Sequence, residues 1–187
     1  MAADVPFSLF KELDRYTDDD LPPVMDWRPE ECHDIDMRID RSGSWFHEGT
    51  QIDNQRMVRL ASILRIEGPS YYLVTPEIKF RIEVEDVPFV AVVMDVVGEG
   101  PKQSLQFTTN IGDQVTLDSS HPLRLEVYSN GDEPVPYITV RNDLEAVLPR
   151  DLYYQLADLF VTDASSTMLG VWSEGTFTTL CKATAVF

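Results

Sequence analysis

The chain has 187 residues, of which 32 are Asp or Glu and 15 are Lys or Arg, so its formal net charge is −17. Neutralising phosphates takes clustered Lys and Arg, and binding to anionic lipid takes basic segments, so this charge argues against nucleic acid and membrane as partners. The apolar fraction of 43% and the charged fraction of 25% are those of an ordinary globular protein and exclude a disordered chain.

The N-terminal residues and the two cysteines bear on the compartment. The first 16 residues contain neither the basic segment nor the apolar core of a secretory signal. Cys32 and Cys181 lie far apart and make no disulfide framework. The longest apolar stretch, residues 87–94, is much shorter than the about 20 residues that span a bilayer. We therefore expect a cytoplasmic protein whose thiols are free.

Residues 1–76 are interpreted as an N-terminal α+β domain. Apolar residues at three-residue spacing predict a short helix within 7–16, and the acidic run at 18–20 predicts a loop. Polar and apolar residues alternate over 34–40 and then reach Ser42-Gly43-Ser44, which predicts a β-hairpin. Asp53 is placed to cap a helix that reaches about Arg65. Its predicted buried stripe consists of Met57, Leu60, Ala61 and Leu64, widened by Val58 and Ile63.

Residues 77–187 are interpreted as a second, β-rich domain with one helix. Strict alternation predicts a strand at Ile78–Val84, and the nearly continuous apolar run Phe89–Val97 predicts a central strand that is covered on both faces. Pro149 is suited to the first turn of a helix, and the sequence at 130–132 predicts a turn. Further strands are predicted at 71–75, 105–109, 114–117, 123–128, 137–141, 144–148, 168–172 and 176–180.

The predicted fold class is α+β, mostly antiparallel β with two or three helices, in which the sheet forms a sandwich or a partial barrel. Residues 34–65 and 137–160 share the order strand, tight turn, strand, helix. Few residues match between the two segments, so the pattern predicts a duplicated structural unit rather than a sequence repeat.

The densest cluster of reactive side chains, at residues 32–40, does not have the spacing of a metal site. No second Cys or His pair stands at zinc-ligand spacing, and the glycine that bends a calcium loop is missing. We expect neither a metal nor a cofactor. On a strand, Asp34, Asp36, Arg38 and Asp40 would share one face. That face is interpreted as an ion-pair ladder, a ligand-binding face or a catalytic face.

Polar residues of the second half offer a further candidate site. His121 precedes a proline, and the side chains at 108–110 border the same predicted sheet end, so they form either a polar rim around a pocket or ordinary turn structure. Eleven of the 15 basic residues are Arg. The guanidinium group suits carboxylate or phosphate recognition, although ion pairs within the protein are its commoner use.

Several segments, in order over nearly the whole chain, carry the pattern of a known family. They are Cys32-x-x-Ile35-Asp36-Met37-Arg38-Ile39, Gly43-x-Trp45-x-His47-x-Gly49, residues 60–65, 72–76 and 82–89, Thr109-Asn110-x-Gly112-Asp113, His121-Pro122-Leu123-Arg124, residues 137–141, and Gly170-Val171-Trp172-Ser173. In these segments the sequence resembles an uncharacterised bacterial family, domain-of-unknown-function family 1285. The resemblance implies two small α+β domains related by duplication, the second similar to a pleckstrin-homology-like barrel, with a binding cleft between them and a part in signalling or regulation.

The leading hypothesis is a non-enzymatic binding or regulatory module with its site at the interdomain cleft. Its partner would be a small anionic or carboxylate ligand or another protein, with Arg38 as an anion clamp and Trp45 as an aromatic shelf. The alternative is a small hydrolase or isomerase that uses His121 or His47 with Asp36. No catalytic set is assigned, and the oligomeric state is left open. The candidate ligand-binding residues are Asp36, Arg38, Trp45, His47, Asn110, His121, Arg124 and Arg141.

Overall fold

The structure, a computed structural model, describes residue 9 and residues 13–16, 21–126, 133–165 and 167–182. The helix predicted within 7–16 lies largely outside these residues, and the predicted loop at 18–20 and turn at 130–132 lie wholly outside them. The chain divides into two compact units, residues 1–88 and 89–187. The division falls after residue 88 rather than after 76, because Ile78–Val84 pairs with two strands of the first unit.

Between residues 21 and 88 the first unit forms a six-stranded sheet and one helix. The strand order is β3-β2-β1-β6-β5-β4. All neighbours are antiparallel except the central pair, β1 and β6, which is parallel. The elements are β1 (Glu31–Ile39), β2 (Trp45–His47), β3 (Thr50–Gln51), α1 (Asn54–Ala61), β4 (Leu64–Glu67), β5 (Ser70–Val74) and β6 (Ile78–Val84).

Helix α1 begins where the sequence predicts and ends earlier. The Asp53 carboxylate accepts a hydrogen bond from the Arg56 amide at 2.9 Å, which caps the helix. The helix ends at Ala61 instead of near Arg65, because Leu64 already pairs with Leu73 as the first residue of β4. Ladder hydrogen bonds with β5 replace further helical ones there.

The predicted buried stripe of α1 is confirmed for part of its members. Met57, Leu60 and Ala61 are buried on the helix, and Ile63 and Leu64 are buried after it. Val58 is 42% exposed and does not belong to the stripe.

The described residues of the second unit form a six-stranded sheet, one helix and a three-stranded sheet. The larger sheet has the order β10-β11-β12-β7-β8-β9, and the smaller one the order β13-β14-β15. Within these two sheets β12 and β7 are parallel and the other neighbours are antiparallel. The elements are β7 (Phe89–Val97), a 3₁₀ turn (Gly100–Lys102), β8 (Ser104–Thr109), β9 (Gln114–Thr116), β10 (Leu123–Glu126), β11 (Val135–Arg141), β12 (Leu144–Val147), α2 (Arg150–Ala157), β13 (Val161–Thr162), β14 (Met168–Ser173) and β15 (Thr176–Lys182).

The C-terminal hairpin β14–β15 is fastened to β8 and to the turn before it. The side-chain Nε2 of Gln103 donates to the Trp172 carbonyl at 2.9 Å, and the backbone amide of Leu105 donates to the Ser173 hydroxyl at 3.2 Å. Gly170 lies at a close approach within the hairpin, since a Cβ there would stand 2.2 Å from the carbonyl oxygen of Thr178. A larger residue at 170 would therefore force β14 and β15 apart.

The two six-stranded sheets have the same topology. The first sheet has the order β3-β2-β1-β6-β5-β4, and the second, read from its other edge, has the order β9-β8-β7-β12-β11-β10. Each strand of the second sheet thus takes the place of the strand numbered six lower in the first. In both sheets the first and last strands in sequence form the central parallel pair. With two α-helices among the described residues and mostly antiparallel strands, the fold class is α+β, as the sequence predicts.

The strand predicted at Phe89–Val97 is confirmed, but its predicted burial is wrong. β12 pairs with β7 at Phe89 and Val90 only. Beyond them Val92, Val93, Val96 and Val97 are 43–55% exposed. A continuous apolar run is typical of a strand covered on both faces, but it does not show how far the neighbouring strand reaches.

Candidate functional site

Arg38 lies on the first hairpin and is engaged within its own unit. Its Nη1 donates to the Glu85 carboxylate at 2.5 Å, and its guanidinium carbon stands 4.7 Å from the ring centre of Phe46. Register places Arg38 between Phe46 on β2 and Glu83 on β6. An external anion would therefore compete with Glu85 for this guanidinium.

The three other candidates of the first unit do not form a group around Arg38. Trp45 is fully buried and pairs with Ile39, so it presents no aromatic surface to a ligand. His47 lies opposite the buried Met37, whereas Asp36 is the exposed residue before it. Since neighbours along a strand point to opposite faces, Asp36 and His47 do not meet as an acid–base pair.

Arg124 on β10 is the most densely bonded candidate of the second unit. It forms a bidentate pair with Glu145, with both N–O distances 2.8 Å, and a further bond of 3.1 Å to Glu126. The hydrogen bonds to Glu145 are the largest cause that raises the pKa of Arg124 above its usual value. The guanidinium also covers the buried ring of Tyr137 at 4.0 Å.

Asn110 and Arg141 both lie beside the start of β7. The Asn110 side-chain oxygen accepts from the Val90 amide at 3.1 Å. Arg141 contacts the Asp113 carboxylate and stands 5.3 Å from the ring centre of Phe89. Burial lowers the pKa of Arg141 to about 10, which still leaves it charged at neutral pH beside Asp113. These contacts join the β8–β9 turn to the end of β11.

His121 acts in the turn before β10. Its backbone amide donates to the Asp118 carboxylate at 2.9 Å, and its Nδ1 lies 3.1 Å from the Thr139 carbonyl oxygen. A ring held by a backbone carbonyl fits the turn interpretation that the sequence left open.

A charged row that the site prediction missed crosses four strands of the first sheet. Register aligns Arg65 on β4, Tyr72 on β5, Arg81 on β6 and Asp34 on β1. Tyr72 is buried, and the Lys79 ammonium lies 4.5 Å above its ring centre. The pairing of Arg81 with Asp34 supports the interpretation of the charged residues on β1 as an ion-pair ladder.

Arg65 is the buried arginine of that row. Its Nη1 donates to the carbonyl oxygens of Val24 and Trp27 at 2.8 and 3.0 Å, and its Nη2 contacts the Glu67 carboxylate. The side chain is 9% exposed. Arg65 therefore fastens the segment before β1 to strand β4.

A small cavity lies between the start of β11 and the first turn of α2. Its volume is about 110 Å³, with Pro136, Leu148 and Tyr153 in its wall and an Arg150–Glu133 ion pair of 2.5 Å at its edge. Pockets for drug-sized ligands measure roughly 300–1,000 Å³. The cavity has room for a side chain rather than for a cofactor.

The exposed edge of β7 is the other feature that the site prediction missed. β8 pairs with β7 from Ala91 to Val97 on one side. On the opposite side, none of the residues that the structure describes pairs with β7 beyond Val90. The apolar run at 89–97 predicts a strand, but the extent of the neighbouring strand has no sequence signal, so the edge could not be predicted.

Metal-binding and membrane-spanning features are absent from the described part of the chain. No group of three or more His, Cys, Asp or Glu side chains is placed to hold a metal ion there. No helix among those residues is long and apolar enough to cross a membrane. Cys32 is exposed and Cys181 is buried, and neither forms a disulfide. Burial raises the pKa of the Cys181 thiol.

Together these features define a two-unit α+β protein with two topologically equivalent mixed sheets. Residues 22–87 match the family model "Domain of unknown function (DUF1285), N-terminal domain", and residues 88–180 match "Protein of unknown function (DUF1285), C-terminal domain". The chain belongs to the DUF1285 family, as the resemblance predicts.

Two solved structures of this family are similar to the chain. A DUF1285 family protein from Silicibacter pomeroyi DSS-3 is 39% identical, with a TM-score of 0.85 over 94% of this chain and 96% of that one. A DUF1285 family protein from Shewanella baltica OS155 is 24% identical, with a TM-score of 0.52 over 66% of this chain and 91% of that one. The second likeness concerns the fold alone. No curated protein matches the chain.

Proposed function

We propose that the protein is a non-enzymatic regulatory module that binds an extended segment of another protein by strand addition at the free edge of β7. The edge from Ala91 to Val97 offers backbone donors and acceptors with no strand partner in the described residues. In strand addition such groups provide affinity, and alternate side chains provide specificity. The exposed edge is the observation that carries the proposal.

The side chains of the edge strengthen this assignment. Natural proteins usually protect long edges with charges, prolines or short strands. β7 instead exposes Val92, Val93, Val96 and Val97, with Asp95 as the one charged residue among them. Val96 pairs with the fully buried Leu105, so an added strand would extend the buried face of the sheet over Val96.

A small anionic ligand has less support than a protein partner. Glu85 already binds Arg38, Glu145 binds Arg124, and Asp113 contacts Arg141. A ligand would have to displace one of these carboxylates. The predicted interdomain cleft and the enzymatic alternative stay predictions, and no contact of His47 or His121 favours the latter.

The two units are proposed to descend from a duplication, with a different alignment from the one predicted between 34–65 and 137–160. Leu64-Arg65-Ile66-Glu67 on β4 recurs as Leu123-Arg124-Leu125-Glu126 on β10. Both arginines pair with a tyrosine in the same register, Tyr72 and Tyr137. The pleckstrin-homology-like character of the second unit stays a proposal, supported by antiparallel strands that are followed by a helix packed on β7 and β11.

A signalling role in the cytoplasm is likewise proposed. The two unpaired cysteines are compatible with a reducing compartment. A binding module without catalytic groups acts through the partner that it holds, so regulation is the role that fits a free strand edge.

Selection from a peptide-display library tests the proposal. Selected peptides should alternate apolar and polar residues, and their affinity should fall at least tenfold when Val96→Asp places a charge on the edge. Val58→Asp is the matched control, since Val58 is 42% exposed on α1 and Val96 is 43% exposed. Selected peptides that bind equally well to both variants would contradict the proposal.

A further inference from the structure

We infer that the segment bound at β7 is apolar with a Lys or Arg at its centre, placed opposite Asp95. This inference rests on the proposed strand addition and specifies the chemistry of its partner. It follows from the pattern of side chains along the edge and from the charge of the unit that carries it.

Register assigns the edge residues to two faces. Val93, Asp95 and Val97 pair with Thr108, Gln106 and Ser104 on β8, so they share one face of the strand. Met94 and Val96 pair with the fully buried Phe107 and Leu105 on the other face. An added strand therefore meets apolar side chains on both faces and one carboxylate in the middle.

Charge complementarity selects a basic residue at that position. Asp95 is exposed, and residues 89–187 carry 13 Asp and Glu against five Lys and Arg. Opposite charges directly across two strands attract, whereas like charges repel. A partner segment with Lys or Arg across from Asp95 gains a cross-strand ion pair, and its approach is favoured by the acidic surroundings.

The same pattern disfavours a second copy of the chain at this edge. A symmetric antiparallel pair of β7 strands that places Val93 opposite Val97 puts Asp95 directly opposite its own copy. Each chain also carries a net charge of −17, so two copies repel each other. Asp95 therefore disfavours pairing between the β7 strands of two copies and favours binding of a basic segment.

Two peptides with palindromic sequences test the inference, because the same residues lie opposite β7 whether the peptide binds parallel or antiparallel. Each has seven residues, with Val two positions from the centre on both sides, Thr elsewhere, and either Lys or Glu at the centre. The Lys peptide should bind about tenfold more tightly than the Glu peptide at low salt, and 0.5 M salt should reduce the difference. Asp95→Lys should reverse the preference.

Asp36→Lys is the matched control, since Asp36 is an exposed acid on β1, the strand of the first unit that is equivalent to β7. It should leave the preference unchanged. Hydrogen exchange should show protection of the β7 amides by the Lys peptide and no protection of β1.

The possible failures are distinguishable. If both peptides protect β7 with equal affinity, the charge inference is wrong and strand addition stands. If neither peptide protects β7, both proposals are wrong. If Asp95→Asn converts the chain to a dimer with protected β7 amides while the wild-type chain refuses both peptides, the occupant is a second copy and the basic segment is excluded.

Discussion

β1 and β7 hold the same place in their sheets, as the first strand and half of the central parallel pair, yet they expose opposite kinds of edge. β6 pairs along most of β1, while β2 reaches only Met37–Ile39, so the start of β1 has one free side among the described residues. That side carries charged, exposed residues. β8 pairs along β7, while β12 stops at Val90, so the rest of β7 also has one free side among the residues that the structure describes. This stretch of β7 exposes four valines.

From this difference we infer that two sheets of the same topology can differ in their capacity for strand addition through the side chains at the edge. Glu31 and Asp34 are exposed on β1, and charges at an edge disfavour the addition of a further strand. Val93 and Val97 on β7 offer apolar area to such a strand. Binding capacity in this protein is thus expected to reside in the second unit.

The equivalent arginines of the two sheets should differ most in their effect on stability. Arg65→Ala should destabilise the first unit by about 3 kcal/mol, since it removes the buried donor of the Val24 and Trp27 carbonyls and one of the two cations that bind Glu67. Arg124→Ala should cost the second unit about 1 kcal/mol, since the Arg124 side chain is 48% exposed. Urea unfolding measures both losses.

Tryptophan fluorescence can separate the units in that experiment. Trp27 and Trp45 lie in the first unit and Trp172 in the second. A Trp172→Phe background therefore reports the first unit alone. Arg65→Lys should recover only part of the loss, because an ammonium lacks the planar fork that spans two carbonyls. Equal losses of unfolding free energy for Arg65→Ala and Arg124→Ala would show that burial does not cause the expected difference between the two arginines.

The shared topology of the two sheets was partly accessible to sequence reasoning. Most strands and both described helices follow from alternation, turn residues and caps, because those signals are local. The matching tetrapeptides that begin at Leu64 and Leu123 were also present in the sequence. The match is missed because the predicted helix extends to about Arg65, and alternation of apolar and polar residues is a signal for a strand and not for a helix.

The candidate site was less predictable than the fold. Trp45 and Arg38 have the residue types of a binding site, but their burial and pairing depend on contacts such as that with Glu85, 47 residues later. The free edge of β7 depends on where β12 ends, more than 50 residues along the chain. Non-local pairing of this kind leaves no local sequence signal.

Acid should affect the first unit through Glu67. Burial raises the pKa of this carboxyl, but hydrogen bonds from Lys79 and Arg65 outweigh it and hold the pKa below its usual value. The carboxylate therefore stabilises the fold above the unfolded-state pKa, and that stabilisation is lost as the pH falls through the folded-state pKa. Glu67→Gln should cost about 1 kcal/mol at pH 7 and flatten the acid dependence of unfolding.

Glu126 is the equivalent residue of the second unit and serves as the control. Its side chain is 45% exposed, so Glu126→Gln should change the stability of that unit by less than Glu67→Gln changes that of the first. Urea midpoints at pH 7, 5, 4 and 3 measure the comparison. Parallel pH profiles for wild type and Glu67→Gln would contradict the role assigned to Glu67.

The smallest effect on stability, and the sharpest test of the comparison, is expected from making the β1 edge apolar. Asp34→Val with Asp36→Val should change the free energy of unfolding by only about 0.5 kcal/mol, because both side chains are exposed. The variant should nevertheless gain binding of an uncharged Val–Thr strand peptide, with new protection of the β1 amides in hydrogen exchange. Asp34→Asn with Asp36→Asn removes the charges without adding apolar area, and it should gain less. If neither variant binds the peptide at β1, the charged side chains are not what prevents strand addition there. The difference between the β1 and β7 edges would then have its cause in the backbone.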